Sequence, residues 1–325
     1  MKNALEQPLN PPSSTYMSAH HRFTLAWSGC AFLLIVAGAL VTSNDAGLAV
    51  PDWPTSFGSI YRIPPLVGGV KFEHTHRMIA ELVGLLTIVF AVWTQLRETR
   101  TWMKYFGWTM LGLVIFQGVL GGITVLMKLP WYVSTFHAMV AQTFFALVVL
   151  SVFFTADDWN AGAQARRKHS GLLRTLSVLA VMAVYMQLFF GAAFRHNGME
   201  FLPYGTRILP HLLGAGVATI ILMATAIVTL VRYSDVEELR RPAVAMLWLL
   251  VTQLALGFAA YLTRIVLGKD APQPLPSMVA STVAHVACGA LLLASSLLLA
   301  VQVRRQLVHE SAATANARDQ KAVVA

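Results

Sequence analysis

Long runs of apolar residues, separated by short polar stretches, fill the chain from Phe23 to Val303. An α-helix needs about 20 apolar residues to cross a bilayer, and eight runs reach that length. The predicted spans are Phe23–Val41, Thr75–Leu96, Met103–Met127, Val133–Thr155, Leu172–Phe194, Ile208–Val231, Ala243–Val266 and Met278–Val303. The pattern therefore predicts an all-α integral membrane protein with eight transmembrane helices.

The composition agrees with a membrane protein. Of the 325 residues, 56% are hydrophobic and 12% are charged, whereas soluble domains carry about 25% charged residues. The net charge of +9 does not predict nucleic-acid binding, because Lys and Arg concentrate in the cytoplasmic loops of membrane proteins. Cys30 and Cys288 lie in the first and last spans and form no CxxC motif, so we infer no structural disulfide.

Basic residues set the expected orientation. With a cytoplasmic N-terminus, sixteen of the 24 Lys and Arg residues fall on the cytoplasmic side. Both termini are then cytoplasmic, and Ser43–Glu73 is the longest outer loop. The first run is longer than a signal-peptide core and has no convincing cleavage site, so it is expected to remain as a span. The expected location is the cell inner membrane.

The spans divide into two similar sets of four. A Gln followed four residues later by Gly recurs in spans three, five and seven, at Gln117–Gly121, Gln187–Gly191 and Gln253–Gly257. Such a pair serves helix packing or lets a flat ligand approach closely. We predict two pseudo-symmetric four-helix bundles. The predicted parts are a cytoplasmic N-terminal tail (1–22), an N-terminal bundle (23–155), a cytoplasmic linker (156–171), a C-terminal bundle (172–305) and a cytoplasmic C-terminal tail (306–325).

One histidine stands near the outer end of every second span: His76, His137, His211 and His285. Ionisable residues inside a membrane are costly and usually functional. Two such helices in one bundle can face each other across its core, which suits the two axial positions of a heme iron. A single such histidine is more often a packing residue. Zinc is the competing metal, but it would need three or four grouped ligands, and only the stretch Glu73-His74-Thr75-His76 approaches that.

Charged residues at the same outer level are further candidates. Arg77, Arg195, Arg207 and Arg264 can pair with heme propionates, and His196 can touch one. Glu73 precedes His76 by three residues, so both lie on nearly one helix face. Glu73 is either a base or charge stabiliser at a reacting ligand, or an interfacial carboxylate paired with Arg77 or Lys71.

The two halves differ at this acid. Leu209 and Pro210 precede His211, so the second half has no counterpart of Glu73. This asymmetry predicts chemistry in the first half and a structural or electron-transfer heme in the second. His74 is expected to be an interfacial side chain. The remaining histidines outside these outer positions fall on the cytoplasmic side: His20, His21, His169 and His309.

Several strings together resemble the heme A synthase family over about Ser28 to Ala300. The most specific are Thr42 to Pro54, which ends in Gly-Leu-Ala-Val-Pro-Asp-Trp-Pro, and Glu73-His74-Thr75-His76-Arg77. Phe136-His137-Ala138, Pro210-His211 and Ala284-His285 add support.

The resemblance implies an oxidoreductase that converts the C8 methyl group of heme O to the formyl group of heme A, with oxygen from water, for cytochrome oxidase assembly. It places the substrate heme O between His76 and His137 and a heme b cofactor between His211 and His285. It also makes Glu73 the important acid. Many members carry a cysteine pair in the first outer loop, where this chain has Val50 and Ser56.

The expected partners are heme O, membrane lipid, heme O synthase and an electron acceptor, with a homo-oligomer allowed and no nucleic acid. Trp53, Phe57 and Tyr61 are expected to cap the first bundle, and Trp131 and Tyr132 to join the interfacial aromatic belt. Two other functions fit less completely. A diheme b-type electron-transfer protein needs neither Glu73 nor the long loop, and a transporter with a duplicated fold needs no heme.

Overall fold

The computed structural model describes residues 18–60, 62–160 and 171–307. Eight long helices follow one another: α1 Ala19–Ser43, α2 Val70–Arg97, α3 Thr101–Leu126, α4 Trp131–Phe154, α5 Gly171–Arg195, α6 Leu209–Arg232, α7 Glu237–Tyr261 and α8 Pro276–Gln306. Shorter elements are a helical turn at Asp157–Asn160, a 3-10 turn at Tyr204–Thr206 and a π-helical extension of α7 at Leu262–Leu267. All eight long helices are long and apolar enough to cross a membrane, which confirms the predicted all-α membrane fold.

Three helices begin four or more residues before their predicted spans: α1, α2 and α7, the last of which begins at Glu237 rather than Ala243. α1 begins at Ala19 rather than Phe23 because Ser18 caps it, its hydroxyl accepting the His21 N–H at 3.1 Å. Part of the predicted tail is therefore helical, and residues 1–17 lie outside the described ranges. α2 begins at Val70 rather than Thr75. Its first turns are polar, so a search for apolar runs does not include them.

Each half of the chain forms a closed ring of four helices. In the first ring α1 packs on α2, α2 on α3, α3 on α4 and α4 on α1; in the second ring α5 packs on α6, α6 on α7, α7 on α8 and α8 on α5. Thus α2 and α4 are diagonal, and so are α6 and α8. The rings meet through α1 with α8, α4 with α5, and α4 with α8. This contact pattern is unchanged when the halves are exchanged, while their pseudo-symmetry stays a prediction.

The core lies where the two rings meet. α8 is the most buried span, with 67% of its most apolar segment inside the protein, because it contacts α1, α4, α5 and α7. Trp27 of α1 is fully buried, with its ring 4.7 Å from that of Phe90 and 6.0 Å from that of Phe144. Large apolar side chains such as Leu85 and Trp248 cover the outside, as a lipid-facing surface requires.

The helices α2, α4, α6 and α8 begin at one end of the protein, which we call the histidine side. The loop 44–69 between α1 and α2 lies there and reaches across the first ring. Gly122 of α3 leaves room for the Trp53 indole, since any Cβ at Gly122 would overlap that ring. Trp53 thus lies over the first ring. Phe57 is 54% exposed, and Tyr61 lies outside the described residues.

Candidate functional site

The four predicted histidines lie at the histidine side, and each packs edge-on against a glycine of the preceding helix. A Cβ added to that glycine would lie 2.9–3.2 Å from the imidazole Cε1. The pairs are His76 with Gly38, His137 with Gly121, His211 with Gly191, and His285 with Gly257. A side chain would force the imidazole to shift at Gly191 and Gly257, and would crowd it at Gly38 and Gly121.

His211 and His285 face each other across the second ring. Their ring centroids are 6.2 Å apart, and the planes are inclined at 82°. A metal–imidazole bond is about 2 Å long, so two rings on opposite sides of one metal have centroids roughly 6 Å apart. The spacing of these side chains therefore suits two axial ligands of one metal.

His76 and His137 form the corresponding pair of the first ring. Each is the seventh residue of its helix, α2 or α4. These helices are diagonal and start at the same side, so the two residues lie at a similar depth.

Glutamine amides contact three of the four histidines. Gln117 Nε2 lies 3.4 Å from His137 Nε2 and donates to the His137 carbonyl at 3.1 Å. Gln187 Nε2 lies 2.9 Å from His211 Nδ1 and donates to the His211 carbonyl at 2.7 Å. Gln253 Nε2 lies 3.3 Å from His285 Nε2. The repeated Gln-Gly spacing thus places an amide and a glycine against one histidine.

Buried polar atoms without partners mark the same places. Within the described part of the chain, Nδ1 of three histidines and Oε1 of the three glutamines are buried without a hydrogen bond: His76, His137, His285, Gln117, Gln187 and Gln253. Buried polar groups are normally paired, and a metal-bound histidine donates its second N–H to an acceptor. An amide can turn to present its oxygen. Facing imidazoles with such acceptors beside them fit the axial ligands of heme iron.

Glu73 is buried, with 3% exposure, and both of its oxygens are engaged. Oε1 accepts from Arg77 Nη2 at 2.7 Å, and Oε2 accepts the Val50 N–H at 2.7 Å. The pairing with Arg77 that the sequence left open is therefore present. Glu73 joins α2 to the loop one turn before His76, and its catalytic role stays a prediction.

Arg77 makes most of the contacts between α2 and the loop. Its Nη1 donates to the carbonyls of Asp52 at 2.7 Å and Thr55 at 2.9 Å. Its Nη2 donates to the Val50 carbonyl at 3.0 Å in addition to Glu73. A planar guanidinium can serve several acceptors at once, whereas an ammonium cannot match this geometry. The loop therefore occupies both terminal nitrogens of Arg77.

His74 is buried rather than interfacial, with 8% exposure. Its Nδ1 lies 3.1 Å from Ser56 Oγ, because the early start of α2 places it beneath the loop. Glu73, His74 and His76, considered above as zinc ligands, therefore do not converge on one point. Glu73 and His74 are hydrogen-bonded to the loop instead. No three His, Cys, Asp or Glu side chains among the described residues are grouped to hold a metal ion.

The loop also contains its own hydrogen-bonded turn. Asp52 Oδ1 accepts the Phe57 N–H at 2.7 Å, and Oδ2 accepts the Gly58 N–H at 2.8 Å. Thr55 donates its hydroxyl to Oδ2 as well. Burial alone would raise the pKa of Asp52, but these hydrogen bonds outweigh it and lower the pKa to about 2. The carboxylate therefore stays ionised and holds the turn at neutral pH.

Asp45 of the loop joins two arginines of the second half. Its Oδ1 lies 2.6 Å from Arg195 Nη2 and 3.8 Å from Arg264 Nη2, and Arg195 also donates to the Thr42 carbonyl. The sequence analysis missed Asp45, because Arg195 is 150 residues away along the chain. Arg207 donates from Nε to a nearby loop carbonyl at 3.3 Å.

His196 follows α5 and is half-buried. Burial, Arg195 and His137 together lower the pKa of His196 to about 4, so it is neutral at pH 7. Its contact with a propionate stays a prediction, as do those of the four arginines.

The histidines assigned to the opposite side lie far from this site. His20 stacks on Trp93, with ring centroids 5.2 Å apart, near the end of α2. His21 Nδ1 lies 3.2 Å from Thr155 Oγ1 at the end of α4. His169 and His309 lie outside the described residues.

The fold and site define a membrane protein in which two rings of helices each carry a histidine on both helices of one diagonal pair. A family model described as "Cytochrome oxidase assembly protein" matches residues 70–206. Proteins named heme A synthase are similar over most of their length. The one from Symbiobacterium thermophilum is 29% identical over 268 residues, 74% of this chain and 85% of the relative. Those from Alkalihalophilus pseudofirmus and Halalkalibacterium halodurans are both 26% identical, over 71% of this chain and 84% and 83% of the relatives. The chain is thus similar, over most of its length, to proteins of the heme A synthase family.

Proposed function

We propose that the protein is an oxidoreductase of heme A biosynthesis that converts the C8 methyl group of heme O to the formyl group of heme A. The observation that carries the proposal is the difference between the two histidine pairs. A buried carboxylate, Glu73, and a loop bonded to α2 flank His76, whereas Leu209 and Pro210 precede His211. The names of the relatives support the same activity.

Heme O is then the substrate of the first ring, between His76 and His137. Heme b is the cofactor of the second ring, between His211 and His285, and supplies one-electron transfer when bound. The 6.2 Å separation of the His211 and His285 rings supports this assignment. Heme O is largely apolar, so a site inside a membrane bundle suits it.

The reaction is a four-electron oxidation. Two C–H bonds of the methyl group break, and a C=O bond forms with the oxygen atom of one water molecule. Four protons and four electrons are released, and the oxidant is a one-electron acceptor at the membrane; a heme held by His211 and His285 would supply one-electron transfer toward it. The residues of the first ring must therefore position water, exclude excess water and accept protons.

Glu73 is the proposed base or charge stabiliser. Its carboxylate lies one turn from His76, is nearly excluded from water, and is oriented by the Val50 N–H and Arg77. A carboxylate held in this way can accept a proton released beside the substrate. Trp53, packed over Gly122, helps to keep bulk water from the ring.

Arg195, Arg207 and Arg264 are the proposed partners of the heme propionates, with Asp45 holding Arg195 and Arg264 at the histidine side. Arg77 contributes its charge at the same level. The histidine side is proposed to face away from the cytoplasm in the cell inner membrane. Heme O synthase is the proposed source of the substrate.

The test is co-expression with a source of heme O, followed by extraction and identification of the porphyrins. Glu73→Gln keeps the shape of the side chain and an acceptor for the Val50 N–H, but removes the charge. We expect the heme A yield to fall about 100-fold or more, with the low-spin spectrum of the second ring unchanged. Glu81→Gln is the matched control, since Glu81 is an exposed acid of the same helix, and should keep the full yield.

A diheme electron-transfer protein is the alternative, favoured by the same four histidines. It predicts bound hemes that change redox state while the extracted porphyrins stay unchanged. Wild-type protein with both hemes bound but no heme A formed would leave only this alternative. A full heme A yield from Glu73→Gln would remove Glu73 from the chemistry.

A further inference from the structure

Three of the four histidines have a glutamine beside them, and one does not. In α3, α5 and α7 a glutamine stands four residues before the glycine that contacts the histidine. In α1 the residue four before Gly38 is Leu34, which packs against the hydrophobic core. The position that carries an amide in three helices therefore carries a hydrocarbon in α1.

No neighbour replaces this amide. Nδ1 is buried without a hydrogen bond in His76, His137 and His285 alike, within the described part of the chain, but the latter two have a glutamine amide at Nε2 and His76 has none. The polar residues around it on α2 are directed elsewhere, since Glu73 bonds to Val50, His74 to Ser56 and Arg77 to three loop carbonyls. His76 is thus the one histidine of the four without a polar side chain against its ring.

Support of this kind changes how strongly a histidine binds a metal. A partner for the second ring nitrogen fixes the orientation of the imidazole and raises its basicity, and its removal typically weakens metal binding 10- to 100-fold. Gln117 can supply that partner to His137, as Gln187 can to His211 and Gln253 to His285. The second ring has two supported histidines, and the first ring has one.

We propose that His76 is the more easily released iron ligand of the first ring and His137 the more firmly bound one, so that release of heme begins when its bond to His76 breaks and is completed when its bond to His137 breaks. The inference rests on the proposed function in assigning the substrate to the first ring. It also explains why α1 has Leu34 at the position where α3, α5 and α7 have a glutamine. An enzyme has to release its product, whereas the cofactor of the second ring has to remain bound through many turnovers.

The experiment restores the amide with Leu34→Gln. Leu33→Gln is the matched control, because Leu33 is the adjacent residue and is 58% exposed on the outside of the helix.

The purified protein is loaded with heme B as a probe in both rings and mixed with excess apomyoglobin, and heme transfer is followed by absorbance. The wild type should lose heme in a fast phase from the first ring and a slow phase from the second. Leu34→Gln should slow the fast phase about tenfold, and Leu33→Gln should not change it.

Gln117→Leu is the converse variant and introduces no polar group. It should make His137 resemble His76 and accelerate the fast phase about tenfold. His76→Gly should retain a five-coordinate, CO-binding heme on His137, whereas His137→Gly should lose the first-ring heme. If Leu34→Gln does not fold, these variants still test which histidine of the first ring releases heme first.

An unchanged fast phase in both Leu34→Gln and Gln117→Leu would overturn the proposal. Equal heme loss from His76→Gly and His137→Gly would do the same. Transfer of heme B requires no turnover, so these results do not depend on heme A formation. The expected exchange rates without any heme A from heme O would overturn the proposed function and leave the ligand assignment intact.

Discussion

The two halves of the protein use one arrangement of helices for two differently equipped sites. Each half is a ring of four helices with histidines on its diagonal pair, packed against glycines. The first ring adds the Glu73–Arg77 pair and a loop bonded to α2. The second ring adds a glutamine to each of its histidines. The polar contacts of the first ring hold its loop and reach one histidine, His137, whereas those of the second ring reach both of its histidines.

This difference follows from where each half places its hydrogen bonds. A histidine supported on its second nitrogen is a strong and fixed ligand, which suits a permanent cofactor. A ring with a loop over it and a less supported histidine can admit and release a molecule. Under the proposed function, a few side chains of one scaffold would therefore distinguish a substrate site from a cofactor site.

Removal of a histidine from the second ring should have the largest effect. His211→Ala or His285→Ala deletes one of two facing ligands, so the low-spin heme spectrum of that ring should be lost almost completely. Absorbance and paramagnetic resonance of the purified protein measure it. His20→Ala, at the opposite side against Trp93, is the control and should leave the spectrum intact. A full low-spin spectrum in either ligand variant would refute the pairing.

Loosening of the loop should affect the first ring alone. Arg77→Lys keeps the charge but cannot reach the carbonyls of Val50, Asp52 and Thr55 together. Each hydrogen bond to a charged group is worth about 1.5–3 kcal/mol, so amide exchange in residues 50–58 should accelerate at least tenfold. Hydrogen exchange with mass spectrometry measures it, and the exposed Lys71→Arg is the control. Equal acceleration in the second ring would argue against a local clamp.

Acid should destabilise the turn that Asp52 holds in the same loop, with a smaller effect than that of Arg77→Lys. The hydrogen bonds to Asp52 lower its pKa from 3.8 to about 2, so the folded loop binds fewer protons than the unfolded loop between these values. The stabilisation is complete above about pH 3.8 and is lost as the pH falls through 2. Pepsin cleavage near Phe57 should therefore increase over this range.

In the variant Asp52→Asn this side chain cannot ionise. Pepsin cleavage of the variant near Phe57 should therefore lack the increase that the wild type shows between pH 3.8 and 2. Asp270→Asn, at an exposed site, is the control and should behave as the wild type. An identical pH profile for Asp52→Asn and the wild type would mean that Asp52 does not hold the turn.

The contact between the halves at Asp45 should have the smallest effect. Asp45→Asn removes the charge that pairs with Arg195 and Arg264, but its side chain is 56% exposed. Exposed ion pairs contribute about 1 kcal/mol or less, so the thermal midpoint should fall only slightly, and by less at high salt. Calorimetry at two salt concentrations measures both. A large drop that salt does not change would indicate a buried role for Asp45.

Much of the fold follows from local pattern. A helix that crosses lipid must satisfy its own backbone and carry about 20 apolar residues, so eight spans could be placed from the sequence. The starts of α1 and α2 differ because Ser18 caps the first helix and the first turns of the second are polar. The histidine positions were also visible, since an ionisable residue in an apolar run stands out.

The sequence by itself determined the spans, the four histidines and the acid beside His76, because each depends on residues within one helix. Only the tertiary structure decided what those side chains contact. It directed Arg77 and His74 to the loop, brought Asp45 to arginines of the other half, and showed that the glutamines contact histidines on neighbouring helices. Such pairings depend on helix rotation and loop path, and these are set by packing among segments far apart in the chain.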